Sequence, residues 1–199
     1  MNIGSHRVMP LNWSQESVSA MPAKTVTRRL STHLRAGDIC YGRERWAAHA
    51  DRDRLRPSQI PEGSPIWYGA CHACEMDERR GKWRPPMFML PWMSRRTHKI
   101  VSVRRDWLRL LSPDEALREG VTGDPDAGYA WPGSGERYAT PQKAYFAWIG
   151  SLHRKGNIEN LWINPLRRIE FQTVRLNIFA VIKALDAGRT WEELVEAER

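Results

Sequence analysis

No stretch of this sequence reaches the ~18 to 20 uninterrupted apolar residues that a membrane-spanning helix requires, and Met1 to Arg29 lack the apolar segment of a secretory leader. The expectation is a cytoplasmic protein of a bacterial-type cell, with no membrane partner. Cysteine is scarce: Cys40, Cys71 and Cys74 are the three in the chain. An odd count argues against a disulfide framework and for a reducing compartment. Cys71-His72-Ala73-Cys74 is a single C-x-x-C, and structural zinc needs four ligands. Cys40, His49 or His98 could complete a set, but no second pair has finger-like spacing. Reduced thiols are expected, with no metal and no cofactor. Lysine is also sparse, 6 residues against 25 arginines.

What is present is a chain of 199 residues with 41% hydrophobic content, long enough to bury a core without cross-links. The formal charge of +8 favours an anionic partner. Arginine carries that excess, and its planar guanidinium fork suits phosphate contact and base stacking. A merely solubilising basic surface is the competing account. Ten tryptophans include candidates for stacking on bases, although most are expected in the core.

Local signals divide the chain into short elements, without an internal repeat. Ser14 can cap a short helix reaching Met21 and ended by Pro22. Lys24 to Leu30 reads as a strand or extended turn. Gly37 to Ala47 reads as a turn and then a strand, with Ile39, Tyr41, Arg43 and Arg45 on one face. Residues 51–63 read as a loop, Pro65 to Ala70 as a short strand, and the proline-broken segment 82–96 as an ordered loop. Thr97 to Leu111 reads as a long strand. Ser112 caps a helix with Pro113 at N1, Glu115 at N3 and Gly120 at its end. Thr140 and Pro141 open a second helix, whose apolar face is Ala144, Tyr145, Trp148, Ile149 and Leu152. Arg167 to Val174 alternates as a strand. The C-terminus is helical, with a capping box from Thr190 to Glu193. Several non-adjacent strands with few helices predict an α+β fold, a small mixed β-barrel rather than repeated β-α-β units.

Five segments in order are KTVTRR (24–29), GDICYGRERWA (37–47), WRPPMFMLPWMSR (83–95), SPDEALREGV (112–121) and WINPLRRIEF (162–171). Together they resemble the ASCH-domain proteins, in the version common among phages and prophages, over roughly residues 14–174. The resemblance implies a PUA-like β-barrel with flanking helices over residues 1–174 and a C-terminal helical extension over 175–199. It also implies a cleft beside the first segment that takes RNA, single-stranded DNA or a modified nucleotide. It extends distantly to bacterial N4-acetylcytidine amidohydrolases, whose catalytic lysine and threonine match Lys24 and Thr27; Glu119 is the nearest candidate for their glutamate. The chain departs from the family pattern at Gly42, Arg45, Phe88 and residues 71–82, which bears on the ligand more than on the fold.

A hydroxyl becomes a nucleophile only when a base takes its proton. A desolvated, partly neutral Lys24 could serve Thr27, with a carboxylate relaying the proton to the leaving amine. A regular strand would send Lys24 and Thr27 to opposite faces, so that chemistry needs a bend between them. The alternatives are phosphate contact and a structural role. Arg28, Arg29, Arg43, Arg45, Arg84, Arg95 and Arg96 form the expected basic cluster, which would give salt-dependent affinity without base specificity. Arg43 is equally read as an internal partner of Glu44. Glu44 itself, between two arginines, is expected to stay ionised and serve structure before ligand binding. Trp46, Trp83 and Trp92 fall in the matched segments; Trp83 is the better stacking candidate, and Trp92 after Pro91 is expected to pack its loop. Three functions follow. The first is nucleic-acid or modified-nucleotide binding. The second is an amidohydrolase that removes an acyl group from an N4-acylated cytidine-like base. The third is a phage-encoded protein engaging a host protein through its C-terminal helix.

Overall fold

The computed structural model describes residues 2–3, 6–21, 23–152 and 161–197. Its strands are β1 (Asn2–Ile3), β2 (His6–Asn12), β3 (Val26–Arg29), β4 (Ile39–Arg43), β5 (Trp46–Ala48), β6 (Ile66–Tyr68), β7 (Thr97–Asp106), β8 (Thr122–Asp124), β9 (Gly128–Ala130) and β10 (Leu166–Val174). Its helices are α1 (Gln15–Ser19), α2 (His72–Glu75), α3 (Pro113–Arg118), α4 (Pro141–Leu152), α5 (Ile178–Asp186) and α6 (Trp191–Glu196). The expected α+β class holds. The main sheet runs β1-β2-β4-β7-β10-β3, with β5-β6 and β8-β9 as separate two-stranded sheets. β2 pairs parallel with β4, whereas β4 with β7 and β10 with β3 are antiparallel, so the sheet is mixed.

One expectation needs correction. A barrel requires the first and last strands to pair, and the main sheet's order has two ends, so no closed barrel forms among the described residues. The strand read over Gly37 to Ala47 is also divided, because β4 stops at Arg43 and β5 starts at Trp46 with β6 as its partner. Pro22, expected to end the first helix, lies outside the described residues.

The chain forms two compact units, one from Met1–Val18, Asp38–Lys99 and Thr173–Arg199, the other from Ser19–Gly37 and Ile100–Gln172. In the first unit, Val8, Ile39, Tyr41 and Val174 form a core with Ile178, Val181, Ile182, Trp191 and Leu194. The three α5 residues follow an i, i+3, i+4 pattern, the apolar stripe of a helix lying on a sheet. Asn177 caps α5 by accepting from the Phe179 amide at 2.8 Å, while its own amide group donates to the carbonyls of Trp92 (2.6 Å) and Ser94 (3.0 Å). Ile178, Val181, Ile182, Trp191 and Leu194 of the C-terminal helices thus belong to this unit's core. A second cluster, Trp46, Ala48, Ile60, Met89 and Met93, lies under the 82–96 loop, and Trp92 packs against it as expected.

In the second unit, Leu108, Leu111, Ala116, Val121, Trp131, Ala144, Tyr145, Leu161 and Leu166 make the core. Ser112 accepts from the Glu115 amide at 3.2 Å and so fixes the start of α3. Gly120 ends it at φ +106°, where a Cβ would lie 2.5 Å from that of Ala20, so only glycine fits. Among the described residues, no helix is long and apolar enough to cross a membrane.

Candidate functional site

The lysine–threonine–arginine stretch lies in the second unit. Lys24 precedes β3 and is not part of it; its amide donates to Ala20 O at 3.2 Å, and the next amide, of Thr25, donates to Arg118 O at 2.9 Å. This non-strand backbone carries Lys24 to the end of α3. There its Nζ donates to the backbone oxygen of Glu119 at 2.6 Å and to Glu119 Oε2 at 2.7 Å. The same ammonium lies 5.4 Å from the centroid of the Trp131 ring. Both partners are buried, with side-chain exposures of 0% and 1%. Burial pushes the Lys24 amine below its ordinary 10.5, against the opposing pull of the Glu119 charge. Burial, and then the same carboxylate, raises the Tyr145 hydroxyl well above 10.

Glu119 holds a second cation. Arg28 donates to Glu119 Oε1 at 3.0 Å, to Asp106 Oδ2 at 2.6 Å and to Glu115 Oε2 at 2.9 Å. Arg168 grips both Glu115 oxygens at 2.7 Å and reaches Glu170 at 3.1 Å. Arg118 joins Glu115 and Glu170. The hydrogen bond from Arg168 is the chief cause that brings the Glu115 carboxyl down to about 2. Four carboxylates thus face Lys24, Arg28, Arg118 and Arg168, and the charges nearly cancel. Arg29, beside this network, has its pKa lowered by burial. Thr27 is 6% exposed and lies opposite Ile169 of β10. No hydrogen bond joins its hydroxyl to Lys24 or Glu119 among the described residues. The structure therefore brings together two of the three expected catalytic residues.

The other expected site residues lie in the first unit. Arg95 makes a bidentate pair with Glu44 at 2.8 and 2.9 Å, and Arg96 approaches the same carboxylate at 3.6 Å. The Arg43–Glu44 pairing does not form; Arg43 instead donates to Met87 O at 2.9 Å and to the Tyr41 hydroxyl at 2.8 Å. Trp46 is fully buried and presents no face to a base. The Arg84 guanidinium lies 5.3 Å from the Trp46 ring centroid and donates to the carbonyls of Leu55 (2.9 Å) and Arg52 (3.0 Å). Of the basic residues expected to cluster, Arg28 and Arg29 belong to the second unit and Arg43, Arg45, Arg84, Arg95 and Arg96 to the first. A buried guanidinium demands acceptors, and the buried Arg28 and Arg84 find theirs inside the protein, as does the partly exposed Arg95.

Trp83 is different. It is half-buried, and the guanidinium carbons of Arg45 and Arg80 lie 4.8 and 4.6 Å from its ring centroid. Its ring borders a cleft of about 300 Å³ whose other walls are Pro57, Lys82, Arg84, Pro85 and Phe88. Phe88 is 51% exposed, and among the described residues no carboxylate lines the cleft. A second cavity, of about 310 Å³, lies between Tyr68, Trp92, Asn177 and Phe179. The Cys40 thiol is buried, which pushes its pKa up to about 12, whereas Cys71 and Cys74 are partly exposed. Among the described residues, no three His, Cys, Asp or Glu side chains group as metal ligands would.

Sequence reasoning missed Asp106, Glu115, Tyr145 and Arg168 around Lys24, and Arg80 and Lys82 around Trp83. The spacing of Glu115, Arg118 and Glu119 on one helix was a usable signal, since i, i+3 and i+4 positions share a face. Comparisons with protein-family models, with curated proteins and with solved structures returned no match.

Proposed function

We propose that this chain is a PUA-like protein of the ASCH type that binds single-stranded nucleic acid or a modified nucleotide, with one base stacked on Trp83. The observation that carries this reading is the cleft beside Trp83, with two guanidinium groups over the ring, Lys82 and Phe88 in the walls and, among the described residues, no lining carboxylate. An aromatic face supplies sequence-tolerant stacking, and flanking cations hold the phosphates. The net charge of +8 adds long-range attraction. Fluorescence anisotropy of a labelled single-stranded RNA, repeated with DNA of the same sequence, tests the reading across a salt series. Binding whose logarithm falls linearly with log salt is the expected result. Affinity that ignores salt, or no binding to either strand at low salt, defeats it.

A second reading rests on the contact between Lys24 and Glu119. A buried amine with a lowered pKa suits a general base, and the Thr27 hydroxyl is three residues away. In that reading Thr27 attacks the acyl carbon of an N4-acylated cytidine, Lys24 takes the hydroxyl proton, and Glu119 relays that same proton from Lys24 to the departing exocyclic amine. Water then releases the acid from Thr27. Acetate release from N4-acetylcytidine, abolished by Lys24→Ala and by Thr27→Ala, is the expected result; hydrolysis that survives Thr27→Ala removes this mechanism.

A further inference from the structure

We propose that Cys71 and Cys74 form a dithiol that is oxidised reversibly by exchange with a disulfide substrate. The two residues are three apart on one turn: the Cys74 amide donates to Cys71 O at 3.0 Å, and the Cys71 amide donates to Tyr68 O at 3.0 Å. This spacing suits an intramolecular disulfide, because side chains at i and i+3 of one turn lie side by side. Both residues are partly exposed, unlike Cys40, which is buried. The contrast leaves one thiol inert and two open to reagent.

The surroundings lower the pKa of Cys71 and raise that of Cys74. For Cys71 the hydrogen bond with Cys74 is the leading cause, and the Arg95 charge acts in the same direction. Arg95 is fixed in place by its two bonds to Glu44 and by the Tyr68 ring, 4.4 Å away. Burial, and then the bond with Cys71, raises Cys74. Cys71 is therefore the attacking sulfur and Cys74 the resolving one. The Cys71 thiolate attacks one sulfur of a disulfide RSSR, a mixed disulfide forms, and RS⁻ leaves and takes a proton. Cys74, losing its proton, then attacks the Cys71 sulfur and expels the second RS⁻. The sum is two protein thiols plus RSSR giving one protein disulfide plus two RSH. The substrate class is thus a low-molecular-weight or protein disulfide, and nothing in the nucleic-acid reading is needed for this chemistry.

The test uses the full chain with glutathione disulfide as the probe. After incubation, free thiols are alkylated and the peptides weighed. The expected result is that the peptide bearing both cysteines loses two hydrogens and escapes alkylation, and that dithiothreitol restores two alkylable thiols. Cys74→Ser is expected to stop at one glutathione on Cys71, and Cys71→Ser to acquire its adduct on Cys74 more slowly. Cys40, unreactive until the chain is denatured, reports that each variant is folded. Stable mixed disulfides on the unaltered chain, cross-links only between chains, or equal rates for the two single variants would overturn the proposal.

Discussion

Gly42 faces His98 so closely that a β-carbon on it would lie 2.9 Å from the ring's Nε2. The ring is held in place, because Trp13 Nε1 donates to Nε2 at 3.0 Å and Thr173 Oγ1 bonds Nδ1 at 2.8 Å. This contact gives a physical reason for glycine at position 42. Gly42→Ala should cost about 1 to 3 kcal/mol as an overpacked core. A lower urea midpoint at an unchanged slope is the expected reading; an unchanged midpoint would show that the ring yields.

His98 also sets an acid limit. Burial brings its pKa from the usual 6.5 to about 3, so in that window the unfolded chain binds a proton that the folded chain refuses. Stability should therefore be full above pH 6.5 and fall as pH drops towards 3, by at most ~1.4 kcal/mol per pH unit. Glu115, brought from 4.5 to about 2, adds a loss of the same sign below pH 4.5. Denaturant titrations at pH 7, 6 and 5 with His98→Gln alongside check the upper part of this slope, which the variant should flatten.

Removing one partner of a buried ion pair leaves the other uncompensated. Glu119 serves two cations whose side chains are 0% and 1% exposed, whereas Arg95, the main partner of Glu44, is 32% exposed. Glu119→Ala should cost about 3 to 5 kcal/mol, clearly more than Glu44→Ala. Parallel unfolding curves decide it, and equal losses would contradict the ranking.

Trp191 is 3% exposed and sits in the core that also holds Val8 and Ile39. Trp191→Ala should cost about 3 to 5 kcal/mol. If thermal melting is unaffected, the C-terminal helices do not close this core.

Local chemistry was legible and long-range pairing was not. Ser112, Thr190 with Glu193, and Thr140 each announced a helix start, because a cap and its amide lie within three residues of one another. β2 was missed: Pro10 lacks a donor and disguises a strand that pairs parallel with β4. The alternation expected on Gly37 to Ala47 failed because Ile39, Cys40, Tyr41 and Gly42 are all buried, on both faces of the strand. Lys24 and Glu119 were each picked out as candidates, yet nothing local predicts that residues 95 apart share a hydrogen bond. Nor did composition reveal that many arginines answer internal acceptors. Only the folded chain sorts Arg28 and Arg95 from Arg45 and Arg80.

The most direct test of the nucleic-acid reading is the affinity of Trp83→Ala for a labelled single-stranded RNA, measured by anisotropy at fixed salt and again across a salt series. Losing one stacking contact should weaken binding by ~1 to 3 kcal/mol and leave the salt slope unchanged, since no phosphate contact is removed. Unaltered affinity in a variant that still melts cooperatively would contradict the assignment of Trp83 as the base-stacking platform.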